Sequence, residues 1–181
     1  MLPKAAKEPS QYVFCPFDGS TLAPAPSGGD QGFPTCGRCG FVDYANPKPC
    51  VALLVEREGG LLLVRRGVEP RLGFWDIPGG FIDRRESAEE AAARELLEET
   101  GLRAAKLRFL MSLPDIYGPR ETPTLNLCFH VVPASWPPRP ASDAAEARVF
   151  DRRELPIEFA FPHQKTLVQA WLDGTLESAS G

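Results

Sequence analysis

The sequence predicts an α/β fold, a mixed sheet layered with two or three helices behind a small cysteine-bearing module. Three observations carry the prediction. Apolar runs of strand length, Val51–Val55, Leu61–Val64, Leu107–Leu113 and Leu125–Val132, are interleaved with segments of helical period. Composition changes near residue 50, from a Pro- and Gly-rich stretch to apolar runs. The chain has 181 residues, 43% hydrophobic and 24% charged, enough for one good core plus an appendage.

Taken in order, residues 1–14 read as a flexible N-terminus and 15–49 as the small module, with loop from Ser20 to Pro34. Residues 50–173 read as the main domain. Val51–Val55 is a buried strand, Glu58-Gly59-Gly60 a turn, and Leu61–Val64 its hairpin partner. Gly67–Asp76 is a loop leading into Ile77-Pro78-Gly79-Gly80-Phe81. Ala88–Thr100 is the strongest helix: Ser87 is an N-cap, Glu90 completes a capping box, and Gly101 stops it. Two strands follow, joined through the turn-rich segment Pro114–Pro119. Pro133–Ser142 connects, Arg148–Phe150 is a short strand, and His163–Leu172 is an amphipathic helix with Leu167, Ala170 and Trp171 on one side. Residues 174–181 read as a flexible C-terminus.

Several classes are excluded. No apolar run approaches the ~20 residues of a membrane span, and no signal peptide opens at Met1. Five cysteines are too sparse for a secreted disulfide scaffold, so a soluble, cytoplasmic protein is expected. The net charge is −4, and residues 1–50 balance Lys4, Lys7, Arg38 and Lys48 against Glu8, Asp18, Asp30 and Asp43. A nucleic-acid-binding module would need a basic surface that is missing here.

The helix carries the chemistry. At ~100° per residue, Glu95, Glu98 and Glu99 share an arc of ~100°, with Leu97 and Ala93 opposite and the small Ala88, Ala91 and Ala92 one turn earlier. Like charges at this spacing repel, and hard oxygen donors suit Mg²⁺ or Mn²⁺. A solvated acidic face is the competing reading. Pro78-Gly79-Gly80 upstream would let backbone approach a phosphate or a metal closely.

Gly80, Glu86, Arg94, Glu95, Leu96, Glu98, Glu99, Gly101 and Leu102 reproduce the pattern G-x5-E-x7-R-E-U-x-E-E-x-G-U, with U a bulky aliphatic. The chain therefore resembles the Nudix hydrolases. Tyr44–Pro49, Gly73–Phe81, Leu155-Pro156 and Phe159–Phe161 are similar to the branch with an N-terminal zinc ribbon, which includes NADH pyrophosphatases. The resemblance implies a Nudix α/β/α sandwich with a mixed sheet. It implies Mg²⁺- or Mn²⁺-dependent hydrolysis of a nucleoside diphosphate linked to another moiety. Glu95, Glu98, Glu99 and the Gly80 carbonyl would then be metal ligands, with Arg94 and Glu86 shaping the cluster. The general base would then be one of the glutamates of this pattern or an acid on the Asp143–Phe150 stretch, where Glu146 is the candidate.

Arg65 and Arg71 are candidate phosphate contacts. Strand alternation puts Arg65 and Arg66 on opposite faces, so at most one of them points into the site. Trp75, Phe74 and Tyr117 are candidates to stack on a base. Neither His130 nor His163 is expected to take part. Where NADH pyrophosphatases carry Ser-Gln-Pro-Trp-Pro, this chain has Ser112–Tyr117, which favours ADP-ribose or a related dinucleotide. NAD(H), FAD and the NAD cap of RNA are the alternatives.

Cys36-Gly37-Arg38-Cys39-Gly40 has the spacing of a zinc knuckle, and Cys15-Pro16-Phe17-Asp18-Gly19 matches it with Asp18 in place of the second cysteine. Cys15, Asp18, Cys36 and Cys39 would hold one structural Zn²⁺, or keep the ribbon shape without it. The ribbon is expected to be structural, with a homodimer as one role for it. Cys50 and Cys128 read as plain buried residues.

Overall fold

The computed structural model describes residues 12–25 and 32–177; the remainder of the predicted flexible termini, and residues 26–31 of the predicted loop, lie outside the described residues. The chain divides into two compact units, 1–47 and 48–181.

In the first unit, β1 (Ala23–Pro24) pairs antiparallel with β2 (Pro34–Thr35), so part of the predicted loop is strand. Two turns in this unit repeat each other. The Gly19 N–H donates to the Cys15 carbonyl and the Gly40 N–H to the Cys36 carbonyl, both at 3.0 Å. The Cys15 N–H reaches the Ser20 carbonyl and the Cys36 N–H the Phe41 carbonyl, both at 2.7 Å. Gly19 (φ 73°) and Gly40 (φ 77°) take the left-handed conformation that closes each turn.

The second unit runs β3 (Lys48–Arg57), β4 (Gly60–Arg66), β5 (Trp75–Asp76), β6 (Gly79–Phe81), α1 (Ala88–Thr100), β7 (Ala104–Tyr117), β8 (Thr122–Pro133), β9 (Ala144–Phe150) and α2 (Pro162–Leu172). The sheet order is β5-β4-β3-β8-β7, with β6 added to β3 and β9 to β4. β3 and β8 pair in parallel, Cys50 facing Asn126, and every other pairing is antiparallel. The sheet is therefore mixed, as expected.

Strand alternation splits the core between two layers. Val51, Leu53 and Val55 of β3 and Leu62 of β4 pack with Ala91, Ala92 and Leu96 of α1. Ala52, Leu54, Leu61 and Leu63 pack with Leu167, Val168 and Trp171 of α2. The apolar runs read as continuous because both faces are covered. Helix α1 turns Ala88, Ala91 and Ala92 toward the sheet and leaves Leu97 and Ala93 exposed. The small side chains allow the close approach that carries Glu95 and Glu99 inward.

Several boundaries differ from expectation. The Pro114–Tyr117 segment, read as loop, is the end of β7, in register with Leu125–Thr122. β7 is an edge strand, where a proline lacking an N–H is tolerated. β9 begins at Ala144 rather than Arg148. Residues Thr175–Glu177, placed in the flexible C-terminus, form a 3₁₀ turn whose Leu176 joins the α2 core. Among the described residues, no helix is long and apolar enough to cross a membrane.

Candidate active site

Helix α1 begins and ends as its sequence dictates. The Glu90 N–H donates to Ser87 Oγ at 3.2 Å, the Ser87 N–H donates to Glu90 Oε2 at 2.8 Å, and Gly101 closes the C-terminus in the left-handed conformation. These caps fix the axial position of the glutamates. β6 runs antiparallel beside β3, with Val51 facing Gly80 and Ala52 facing Gly79. A Cβ on Gly79 (φ 155°) would collide with the Val51 carbonyl, and one on Gly80 would collide with the Glu95 carboxylate. Gly79 is needed because the Val51 backbone occupies that space, while a side chain at Gly80 would displace the Glu95 carboxylate.

Arg94 organises the acidic cluster. Its Nε donates to Glu86 Oε1 at 2.7 Å and its Nη2 to Glu86 Oε2 at 2.9 Å. Nη1 reaches Glu95 Oε1 at 2.7 Å and Glu98 Oε2 at 3.2 Å, and Nη2 also reaches the Phe81 carbonyl at 3.0 Å. One guanidinium thus serves three carboxylates, using the planar array of donors that only arginine has. It holds Glu86 down to about 2. The other two acids sit differently. Burial raises Glu95 above the usual carboxylate range. Burial pushes Glu99 up to about 8, although the Gly79 N–H donates to its Oε2 at 3.0 Å.

A cavity of about 270 Å³ opens beside these groups. Glu95 and Glu99 line it, and Glu98, half exposed, reaches the cluster through Arg94. The three glutamate side chains therefore share a helix face without converging on one point. Phe81, Tyr117 and Phe161 line the same cavity; Tyr117 lies 5.2 Å from the Phe81 ring and 5.5 Å from that of Phe161, between ring centroids.

The substrate residues expected from sequence are only partly assembled there. Tyr117 lines the cavity. Arg65 points elsewhere: its Nε donates to the Gly73 carbonyl at 3.1 Å and its Nη1 is 3.9 Å from Glu146. Arg71 lies over the Phe74 ring, 5.5 Å from its centroid, and Trp75 packs edge-on against Phe150 at 4.7 Å, in the core. None of these three lines the cavity. The arginine on the opposite face, Arg66, does line it, paired with the buried Asp76 at 2.7 Å and lying 5.2 Å over the Phe161 ring. Strand alternation predicts this choice between neighbours but not its direction. Glu146 is in β9, half exposed and outside the cavity, whereas Asp143 of the same stretch lines it.

Residues given no role from sequence also appear in the wall. Asp115 Oδ2 accepts the His163 backbone N–H at 2.9 Å and lies 2.6 Å from His163 Nδ1. Gln164 donates to Asp76 through Nε2, and its Oε1 is buried without a partner among the described residues. Cys50 lines the cavity too, its thiol pushed up to about 12 by burial and by Glu95. The Asp115–His163 pair joins positions on different elements, and no local pattern announces it.

In the first unit, one ligand atom each from Cys15, Asp18, Cys36 and Cys39 lies within 4.8 Å of the others. Cys15 Sγ is 3.5 Å from Cys39 Sγ, and Cys36 Sγ is 3.5 Å from Asp18 Oδ2. The Ser20 N–H donates to Asp18 and holds its carboxyl down to about 2, ready as an anionic ligand. These separations suit a tetrahedral ion with bonds of about 2.0–2.3 Å.

Comparison with known proteins identifies the family. Residues 46–171 match the NUDIX domain. The chain is 33% identical to an ADP-ribose pyrophosphatase of Methanocaldococcus jannaschii over 72% of its own length and 78% of that protein's. It is 32% identical to the NAD-capped RNA hydrolase NudC of Salmonella heidelberg over 57% of its length, spanning only 38% of that relative. A crystal structure of a NUDIX hydrolase from Nitrosomonas europaea superposes with a TM-score of 0.70 at 25% identity, covering 92% of this chain and 94% of the other.

Proposed function

Since this chain belongs to the NUDIX domain family and is a Nudix hydrolase, we propose that it cleaves the pyrophosphate bond of ADP-ribose or a related nucleoside diphosphate derivative, releasing a nucleoside monophosphate. One observation carries this reading: a single cavity brings the partly buried carboxylates of Glu95 and Glu99 together with a row of aromatic rings, Phe81, Tyr117 and Phe161. The rings offer faces to a purine base, and the carboxylates offer a seat for cations that a diphosphate needs.

The acidic residues fit a hard divalent cation. Burial raises both Glu95 and Glu99, and each is raised further by neighbouring acids, so the cluster is short of positive charge. Glu95, Glu98, Glu99 and the Gly80 carbonyl would hold Mg²⁺ or Mn²⁺. Bound there, the ion supplies positive charge against the diphosphate and Lewis acidity at phosphorus. Arg94 keeps Glu86, Glu95 and Glu98 in place. The oxygen of water adds to phosphorus, the bond to the bridging oxygen breaks, and the released proton passes to a carboxylate. Glu146 is poorly placed to take it. Asp143, which lines the cavity, is the better candidate within that stretch.

The test is a panel of ADP-ribose, NADH, FAD, diadenosine diphosphate and NAD-capped RNA with Mg²⁺ or Mn²⁺, scoring nucleoside monophosphate release. The expected result is preference for ADP-ribose. Preference for NADH or capped RNA would replace the substrate assignment, and no turnover of any compound would remove the reading. In the first unit, the four-ligand cluster supports a structural Zn²⁺. A homodimer is a further proposal, checked by light scattering.

A further inference from the structure

We infer that His163 is a substrate contact, its Nε2 hydrogen-bonding a phosphoryl oxygen of the diphosphate from the wall formed by α2. This rests on the diphosphate reading above. The cavity wall carries the carboxylates Asp76, Asp83, Glu95, Glu99, Asp115 and Asp143. Its two arginines already have partners: Arg66 holds Asp76, and Arg94 holds Glu86, Glu95 and Glu98. An anionic substrate entering here needs donors that protein carboxylates have not taken.

The imidazole supplies one. Asp115 sits 2.6 Å from Nδ1, and the same oxygen accepts the His163 backbone N–H, so the ring is fixed at both ends of the residue. With Nδ1 donating to that carboxylate, Nε2 is the ring nitrogen left for a substrate, and it donates to a phosphoryl oxygen as the doubly protonated ring. Nε2 has no hydrogen-bond partner among the described residues. The one fully enclosed side-chain polar atom without a partner among them is Gln164 Oε1, so Nε2 is not fully enclosed, and His163 lines the cavity. Phe161 stacks beside the ring, with centroids 6.3 Å apart at 19°, and continues toward Tyr117. A base held on the aromatic row would bring its phosphates within reach of this edge.

Two substitutions separate contact from scaffolding. Asn at 163 reproduces Nδ1 and its bond to Asp115 but has nothing at Nε2; Gln reproduces Nε2 but not Nδ1. ADP-ribose binding with Mg²⁺ is measured by calorimetry in E98Q, which slows turnover, and in E98Q/H163N and E98Q/H163Q. Melting temperatures monitor folding. We expect H163N to weaken binding at least tenfold with its melting temperature held, and H163Q to recover part of the loss. Unchanged binding in folded H163N overturns the contact, as does absence of ADP-ribose binding in E98Q. Failure of the hydrolysis reading is seen separately, as absent turnover by the unsubstituted protein.

Discussion

Glu99→Gln should stabilise the metal-free protein, and by an amount that depends on pH. The Glu99 carboxyl stands at about 8, against an ordinary 4.5, because it is buried and has acids as neighbours. Its pKa is higher in the folded chain than in the unfolded one, so the folded chain binds more protons. Its contribution to stability is whole below about pH 4.5 and is lost as pH rises toward 8. At pH 7 the folded chain must keep Glu99 protonated about 2.5 pH units above its ordinary value, a cost of about 3 kcal/mol at 1.36 kcal/mol per unit. A glutamine removes that cost and can still accept the Gly79 N–H. In EDTA at pH 7 the variant should melt about 6–12 °C higher, on a scale of about 2–4 °C per kcal/mol for a chain of this size. The advantage should vanish near pH 4.5. Added Mg²⁺ should shrink it, since an ion that binds the ionised form stabilises only the unsubstituted protein. Melting curves across pH, with EDTA and with Mg²⁺, read this directly. A gain independent of pH, or a variant no more stable at pH 7 in EDTA, would refute the account of a buried, under-compensated carboxylate.

Three other outcomes are expected. Glu98→Gln should lower nucleoside monophosphate release at least a hundredfold while shifting stability by less than about 1 kcal/mol, because its ion pair with Arg94 is half exposed; activity assays and melting check both. Gly79→Ala should cost more than about 2 kcal/mol, since the new Cβ meets the Val51 carbonyl and the backbone at φ 155° disfavours alanine; urea denaturation measures it. Plasma emission analysis should find about one Zn per chain, lost in Cys36→Ser; an absence of zinc would leave Asp18 in a ribbon shaped without metal.

How much was legible depended on how local the cause was. The bounds of α1 follow from Ser87, Glu90 and Gly101, which act within one turn of their own positions. The hairpin at Glu58-Gly59 is equally local, both residues taking positive φ. Pro114 misled because its meaning depends on whether the strand has a neighbour on its N–H side, and edge position is a property of the sheet. Arg65 and Arg66 were separable as opposite faces, yet which face meets the cavity is set by how β4 lies against β5 and β9. The family pattern pointed to the acidic helix, while Asp115 and His163 meet only once β7 and α2 have packed.

The parallel pairing of β3 with β8 has a temporal consequence. Helix α1 carries its own start and stop signals, so its bounds are set by residues that leave the ribosome together. The floor beneath its glutamates needs Cys50 to lie beside Asn126, which waits for a much later part of the chain. A slip of one residue in that late alignment would turn Asn126 and Cys128 to the wrong layers. During synthesis, the acidic residues are therefore made before the strand that completes the pocket they serve.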